Sequence, residues 1–224
     1  EPQAAITERY DYHFPMGSLP RLLNLFTEQC PHPLPPYFQV DTKRRDQFAA
    51  TLQSRFAGKM LIGTSWYTKT NVRRSMDLQR MLPILKTPGC QFIALQYGDI
   101  GAQLEELEKT HGISIYRFED LDVYDDLDGL AALIAALDLV ISTPNTTVHI
   151  TGAVGTMGWN ILPFGSDWRW RLEVDRVPWY QTIRLFRQPN WGDWDPVVAE
   201  VAKALATTHA QWQYLQDPIV RGRK

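Results

Sequence analysis

Apolar residues in this chain fall into short runs separated by longer stretches with one apolar face. Leu139-Val140-Ile141 is such a run; Asp138 precedes it and the polar turn Ser142 to Asn145 breaks it. A short apolar run bounded in this way reads as a strand buried on both faces. From Thr146 the spacing becomes helical, through Thr147, Ile150, Thr151, Ala153 and Val154, with Gly155 as the stop. Trp159 to Leu162 is the next apolar run, closed by Pro163. Asp138 to Pro163 therefore predicts strand, turn, helix, strand.

The same alternation runs through most of the sequence. Arg44 to Phe56 carries Phe48, Leu52 and Phe56 four apart and predicts a helix ended by Gly58. Met60–Gly63, Gln91–Gln96, Ile113–Tyr116 and Thr182–Phe186 predict strands. Asp77–Leu85 (disturbed near Pro83), Ile100–Thr110 and Leu127–Leu137 predict helices. A closing helix runs from Asp193 to Ala206, or on to Tyr214, with Asp193 as cap and Pro196 in its first turn. Residues 1–45 read as irregular, with a short helix over Leu19–Phe26 and an extended proline-rich segment at Pro31–Tyr37; Arg221–Lys224 reads as a basic tail. Strands alternating with helices predict an α/β fold with a parallel sheet and helices on both faces. Right-handed crossovers then bring the turns after successive strands to one edge. That edge gathers the loop with Arg73 and Arg74, the Gln96–Asp99 turn and the Asn145–His149 turn.

This geometry carries candidate chemistry. Ligands of open α/β sheets sit beyond the carboxyl ends of the strands, where the helix at Thr146 starts. Its first N–H groups lack intrahelical partners and its dipole adds positive charge. Asn145, Thr146, Thr147 and His149 add polar side chains at the same mouth, a set suited to a phosphate or diphosphate. The plainer reading makes Asn145 a helix cap and His149 structural. Neither GxGxxG nor GxxxxGK[ST] occurs. Lys69, Arg73 and Arg74 form either a solvated basic loop or a second wall of the anion site. The acidic run Asp120–Asp128 lacks EF-hand spacing and reads as a solvated loop. Trp168, Trp170, Trp179 and Tyr180 either stack on a sugar or base or cover an edge of the domain.

Composition narrows the classes. With 224 residues, 44% of them hydrophobic, the chain can bury a large core. A net charge of −2 with dispersed cations excludes a general nucleic-acid binder. Cys30 and Cys90 have no zinc-type spacing, so no metal is expected, and they fit a reducing cytoplasm; no cofactor is expected either. The longest apolar run, Leu130–Ile141, contains Asp138 and is too short to span a bilayer. The chain begins with Glu1 and is expected to be a piece of something longer.

Several segments then carry a family resemblance. IGTSW at 62–66, RRSMDL at 73–78, FIALQYGD at 92–99, DDLDGLAALIAALDLVIS at 125–142 and NTTVHITGAVG at 145–155 follow one another in the order seen in the heptosyltransferase-like glycosyltransferases of family 9. LPFGSDWRW at 162–170, PWY at 178–180 and RLFRQ at 184–188 resemble the branch often fused to tetratricopeptide repeats. The similarity covers residues 10–206. It implies the carboxyl-terminal half of a GT-B glycosyltransferase: a Rossmann-like nucleotide-sugar-binding domain at 46–214, preceded by a linker and remnant of the first domain at 1–45 and followed by a tail at 215–224.

The resemblance also implies site roles. Asn145, Thr146 and Thr147 match the helix start that cradles the donor diphosphate, and His149 matches the histidine of that motif. Arg74 stands about where a cation reaches the diphosphate, Ser65 where a hydroxyl lines the first turn, and Gln96 near the nucleoside. Pro144 departs from the pattern: it occupies a usually acidic position and lacks both a carboxylate and an N–H. The implied function is transfer of a hexosyl or heptosyl group from a nucleotide-sugar to a protein or glycan acceptor, with the base in the missing first half, and with that half or a tetratricopeptide-repeat region as partner. A non-catalytic nucleotide-binding or scaffold module of the same fold is the alternative; a sugar-nucleotide epimerase of related fold is the third, and it too needs both halves.

Overall fold

The computed structural model describes residues 10–24, 35–69 and 72–216. The chain divides into two compact units, residues 1–32 and 33–224. In the first, a 3₁₀ turn at Met16–Ser18 leads into the single helical turn α1, Leu19–Leu22. The helix expected to reach Phe26 ends at Leu22, and Asn24 has a positive φ of 56°. The last residues of that expected helix, residues 31–34 of the proline-rich segment and the basic tail lie outside the described residues.

The second unit is built on six strands: β1 (Met60–Ser65), β2 (Cys90–Ala94), β3 (Ile115–Tyr116), β4 (Leu139–Ser142), β5 (Gly158–Leu162) and β6 (Ile183–Arg187). Their order is β3-β2-β1-β4-β5-β6, and every neighbouring pair is parallel. All residues of β1, β4 and β5 are buried, as expected for strands covered on both faces. The helices are α2 (Thr42–Arg55), α3 (Leu82–Leu85), α4 (Gly101–His111), α5 (Leu127–Ala135), α6 (Thr146–Val154) and α7 (Asp195–Gln216).

Alternation along the strands sorts the core into two layers. Ile62, Phe92, Leu139, Ile141, Trp159, Ile161 and Phe186 pack with Ile84 and Leu85 of α3, Leu107 of α4 and Val201 and Leu205 of α7. Leu61, Ile93 and Val140 pack with Leu52 of α2, Leu130 and Leu133 of α5 and Ile150 of α6. Gly155 ends α6 in the left-handed region at φ 88°, where glycine is favoured. The carbonyl of Ala153, near that end, accepts from the N–H groups of both Tyr37 and Phe38, which ties the chain entering the unit to the end of α6.

The second unit also departs from the pattern-based expectation. Asp77–Leu85 divides into a 3₁₀ helix, Leu78–Met81, capped by Asp77, and then α3. Pro83 sits in the first turn of α3, where its missing N–H costs nothing, so the axis restarts there. The last helix begins at Asp195 rather than at Asp193: Val198 N–H bonds to the Trp194 carbonyl, which gives Trp194 the cap position. The tryptophan-rich segment folds back on the sheet. Trp170, Val177 and Tyr180 are buried against Val148 of α6, Leu162, Ile183 and Leu185, so Trp170 serves as cover.

Candidate functional site

Successive crossovers run from β1 toward β2 in one direction and from β4 toward β5 in the other, so the sheet reverses between β1 and β4. In this architecture ligands bind at that reversal. Ser65 and Ser142, the last residues of the two strands, are register partners across it.

The reversal is held by buried side-chain hydrogen bonds. Gln96 Oε1 accepts from Ser65 Oγ at 3.0 Å, and from Trp66 N and Tyr67 N at 2.9 Å each. Gln96 Nε2 donates to the carbonyls of Tyr67 and Tyr97, so this buried amide fixes the chain leaving both β1 and β2. Asn145 Nδ2 donates to Ser65 Oγ at 2.8 Å, while its Oδ1 accepts from Thr147 N at 3.0 Å and from Ser142 Oγ at 3.1 Å. Asn145 thus caps α6 and bolts the helix start to β1. Thr146 is exposed at the mouth and Thr147 is buried.

The other sequence-derived residues have other partners. His149 Nδ1 lies 2.8 Å from Tyr180 Oη, and its ring stacks on Trp170 with centroids 5.0 Å apart. Burial lowers the His149 pKa below the usual histidine value; the Arg169 charge acts the same way and Asp167 opposes it. Burial also raises the Tyr180 phenol, helped by Tyr37. Both groups are neutral near pH 7. Arg74 pairs with Asp167 at 3.4 Å; the same carboxylate accepts from Arg169 N at 3.0 Å. The structure therefore joins Ser65, Gln96 and Asn145 in one network beside Thr146. His149 is engaged with Tyr180 and Trp170, and Arg74 with the loop after β5.

Sequence reasoning marked Lys69 only as one cation of a loop and did not single out Tyr97 or Tyr124. Lys69 Nζ stands 5.7 Å from the Tyr97 ring centroid and 5.9 Å from that of Tyr124, and Lys69 N donates to Tyr97 Oη. A cavity of about 520 Å³ is lined by Lys69, Gln96, Tyr97, Phe118 and Tyr124. A second, of about 780 Å³, shares Lys69 and Tyr97 and adds Trp66, Asp99 and Gln103. No local signal marks these aromatic residues; only the fold brings the three loops together. Among the described residues, no group of three or more His, Cys, Asp or Glu is arranged to hold a metal ion, and no helix is long and apolar enough to cross a membrane.

The six-stranded parallel sheet with helices on both faces is the Rossmann-like fold of the carboxyl-terminal half of GT-B glycosyltransferases. Two solved structures share it. The Escherichia coli ADP-heptose lipopolysaccharide heptosyltransferase II matches with a TM-score of 0.56 and 16% identity, over 80% of this chain and 56% of that one. A family 9 glycosyltransferase from Veillonella parvula matches with a TM-score of 0.57 and 10% identity, over 88% and 58%. At these identities the likeness is one of fold. Protein FlbA of Caulobacter vibrioides is 34% identical over 202 residues, 88% of this chain and 33% of that protein. The chain thus spans about a third of the curated relative it matches, and little more than half of the two structures. No protein-family model matches the sequence.

Proposed function

We propose that this chain is the donor-binding part of a glycosyltransferase, residues 46–214 holding the nucleotide-sugar from which a hexosyl or heptosyl group passes to an acceptor. The observation that carries the reading is the buried Ser65–Gln96–Asn145 network at the sheet reversal. It leaves Thr146 and the first-turn N–H groups of α6 other than that of Thr147, which Asn145 takes, as a fixed anion-binding surface, in a fold used for sugar transfer. The diphosphate lies over that helix start, and the nucleoside extends into the cavity of Lys69, Tyr97 and Tyr124. As the glycosidic bond breaks, negative charge grows on the leaving diphosphate; the α6 dipole, Lys69 and Arg74 stabilise it. For Arg74 this means sharing or leaving Asp167. The base for the acceptor hydroxyl comes from a first GT-B half, with residues 1–45 leading from it; a tetratricopeptide-repeat region would present the acceptor. The expected compartment is the cytoplasm.

One observation favours a second reading, a nucleotide-binding module without turnover. Pro144, buried just ahead of Asn145, contributes neither carboxylate nor N–H beside the helix start. Calorimetric titration with ADP, UDP, GDP and CDP tests both readings. ADP comes first because the E. coli protein of similar fold is named for ADP-heptose. Binding of one nucleotide, weakened at least tenfold in Lys69→Ala and Arg74→Ala, is expected. No binding by any of the four, or binding unchanged in both variants, refutes the site. Release of free nucleotide from the matching nucleotide-sugar separates an enzyme from a binding module.

A further inference from the structure

Two phenols connect His149 to the segment that enters the second unit. His149 Nδ1 lies 2.8 Å from Tyr180 Oη. Tyr180 is 8% exposed, and its side chain also hydrogen-bonds to that of Tyr37, which is 60% exposed. The Tyr37 N–H donates to the Ala153 carbonyl, and Pro36 fills the space that a side chain at Gly155 would need, so this segment lies along the end of α6. The three side chains form one line from solvent to the imidazole. At the inner end of that line, His149 is the fourth residue of α6. Side chains on a helix lean toward its N-terminus, which here is the anion mouth. His149 Nε2 has no partner among the described residues and is not one of the buried unpartnered atoms, so it opens to solvent.

Tyr180 faces two partners with one proton. A phenol donates once and can also accept, and a neutral imidazole has one N–H and one bare nitrogen. When Tyr180 donates to Tyr37, it accepts from His149 Nδ1–H, and Nε2 is bare. When Tyr180 donates to His149 Nδ1, it accepts from Tyr37, and Nε2 carries the ring proton. The two directions present opposite chemistry to the mouth, an acceptor in the first and a donor in the second. The hydrogen bond to Tyr37 holds the Tyr180 proton in place, as a bond that Tyr180 donates would, so the resting chain runs in the first direction.

We propose that Tyr37 and Tyr180 are positioning residues that switch His149 Nε2 between acceptor and donor, so that the segment entering the unit regulates the anion mouth. A diphosphate offers only acceptors and selects Nε2–H. In the change Nδ1 gives its proton to Tyr180, Tyr180 passes its own to Tyr37, Tyr37 releases its own to water, and Nε2 takes one from water; each side chain keeps its proton count. That a diphosphate makes the selection rests on the donor-binding reading; the two directions rest on these three side chains alone.

Nitrogen-15 NMR of the His149 ring in the full chain tests this at about pH 8, above the usual histidine pKa. The wild type should show mainly Nδ1–H. Tyr37→Phe, at an exposed side chain, removes the outer acceptor. It should move the ring to Nε2–H and tighten whichever of ADP, UDP, GDP and CDP binds by about fivefold, the equivalent of one hydrogen bond. Adding that nucleotide to the wild type should move the ring the same way. Tyr180→Phe cuts the line, and in that background Tyr37→Phe should change neither tautomer nor affinity. Phenols that only pack would give no gain on losing a hydroxyl. A ring that stays Nδ1–H in Tyr37→Phe, an equal effect of that substitution with and without Tyr180, or nucleotide binding without a change of tautomer overturns the proposal and leaves the donor site standing. Tautomer control as described, with none of the four nucleotides bound, supports the switch and refutes the donor site.

Discussion

Asn145 has one side chain and two jobs, and two substitutions separate them. Asn145→Ala removes the acceptor of the α6 cap, worth about 1 kcal/mol. It also takes the donor from the fully buried Ser65 Oγ, a loss of about 1 kcal/mol more. Ser142 Oγ keeps the Thr143 carbonyl as an alternative acceptor, so it adds little. The expected destabilisation is about 2 kcal/mol; with a urea slope of about 2 kcal/mol/M, the midpoint falls by about 1 M. Asn145→Asp keeps the cap oxygen and adds a negative charge at a helix N-terminus, worth about 0.3–1 kcal/mol, against loss of the Nδ2 hydrogen bond to Ser65. Its midpoint should stay within about 0.5 M of wild type, on the same slope. The ligand response should be the reverse of the stability response. A carboxylate at the anion mouth repels a diphosphate, so Asn145→Asp should weaken nucleotide binding by at least about tenfold while the protein stays folded. Urea titration followed by far-UV circular dichroism, with calorimetry at low denaturant, reads both. If Asp and Ala cost the same stability, the cap through Oδ1 is wrong. If Asp leaves nucleotide affinity untouched, the anion does not lie over α6.

Three further outcomes follow from the geometry. His149 titrates below the usual histidine value because it is buried, so the unfolded chain binds the extra proton over the window between the two values. Stability should therefore rise with pH through that window and fall as pH drops below about 6.5; the difference in urea midpoints between wild type and His149→Asn across pH 5 to 8 isolates this, and a flat difference rejects it. A Cβ on Gly152 would run into the Tyr180 ring, the partner of His149, so Gly152→Ala should cost about 1–3 kcal/mol by overpacking and move the His149 ring resonances in NMR; an unchanged Tm would rule the contact out. Burial, reinforced by Asp138, pushes the Cys90 thiol up to about 11; in a Cys30→Ser background Cys90 should label slowly with a disulfide reagent at pH 8 when native and at once in urea, and fast native labelling contradicts it.

The sheet was readable because its strands are buried on both faces. Leu139-Val140-Ile141 and Trp159–Leu162 needed only their apolar runs and the turn residues around them, and Gly155 marked the end of α6 by its conformation. The 3₁₀ helix at Leu78–Met81 and the exact start of α7 were not readable, since Pro83 and Pro196 are each compatible with more than one helix start. The site was readable only in outline. Asn145 announces a helix cap, and the fold makes that cap a mouth. Partners from distant segments left no local signal. Gln96 clamps the backbone at Trp66 and Tyr67, Asp167 holds Arg74, and Tyr180 holds His149, across separations of 29 to 31 residues for the first and last of these. Lys69 read as one cation among three, and nothing in its neighbourhood said that two tyrosines from other loops would frame it.

Helix α6 explains why so many of these contacts converge. At its start Asn145 ties it to β1; along its length His149 meets Tyr180 and Trp170; at its end Ala153 takes two N–H groups from Tyr37 and Phe38. Its interior is made of small and β-branched residues, Thr147, Val148, Ile150, Thr151 and Gly152, all buried, so it packs closely against the sheet and the returning loop. A nine-residue helix has little stability of its own. Here it is held by the side chains of Ser65, Trp170 and Tyr180 and by the backbone of Tyr37 and Phe38, and that hold keeps the N–H groups of its first turn aimed in one direction. On the donor-site proposal, preorganised dipoles of this kind stabilise the leaving diphosphate without reorganising, and Tyr180 and Gly152, which hold the helix, should then matter to nucleotide binding.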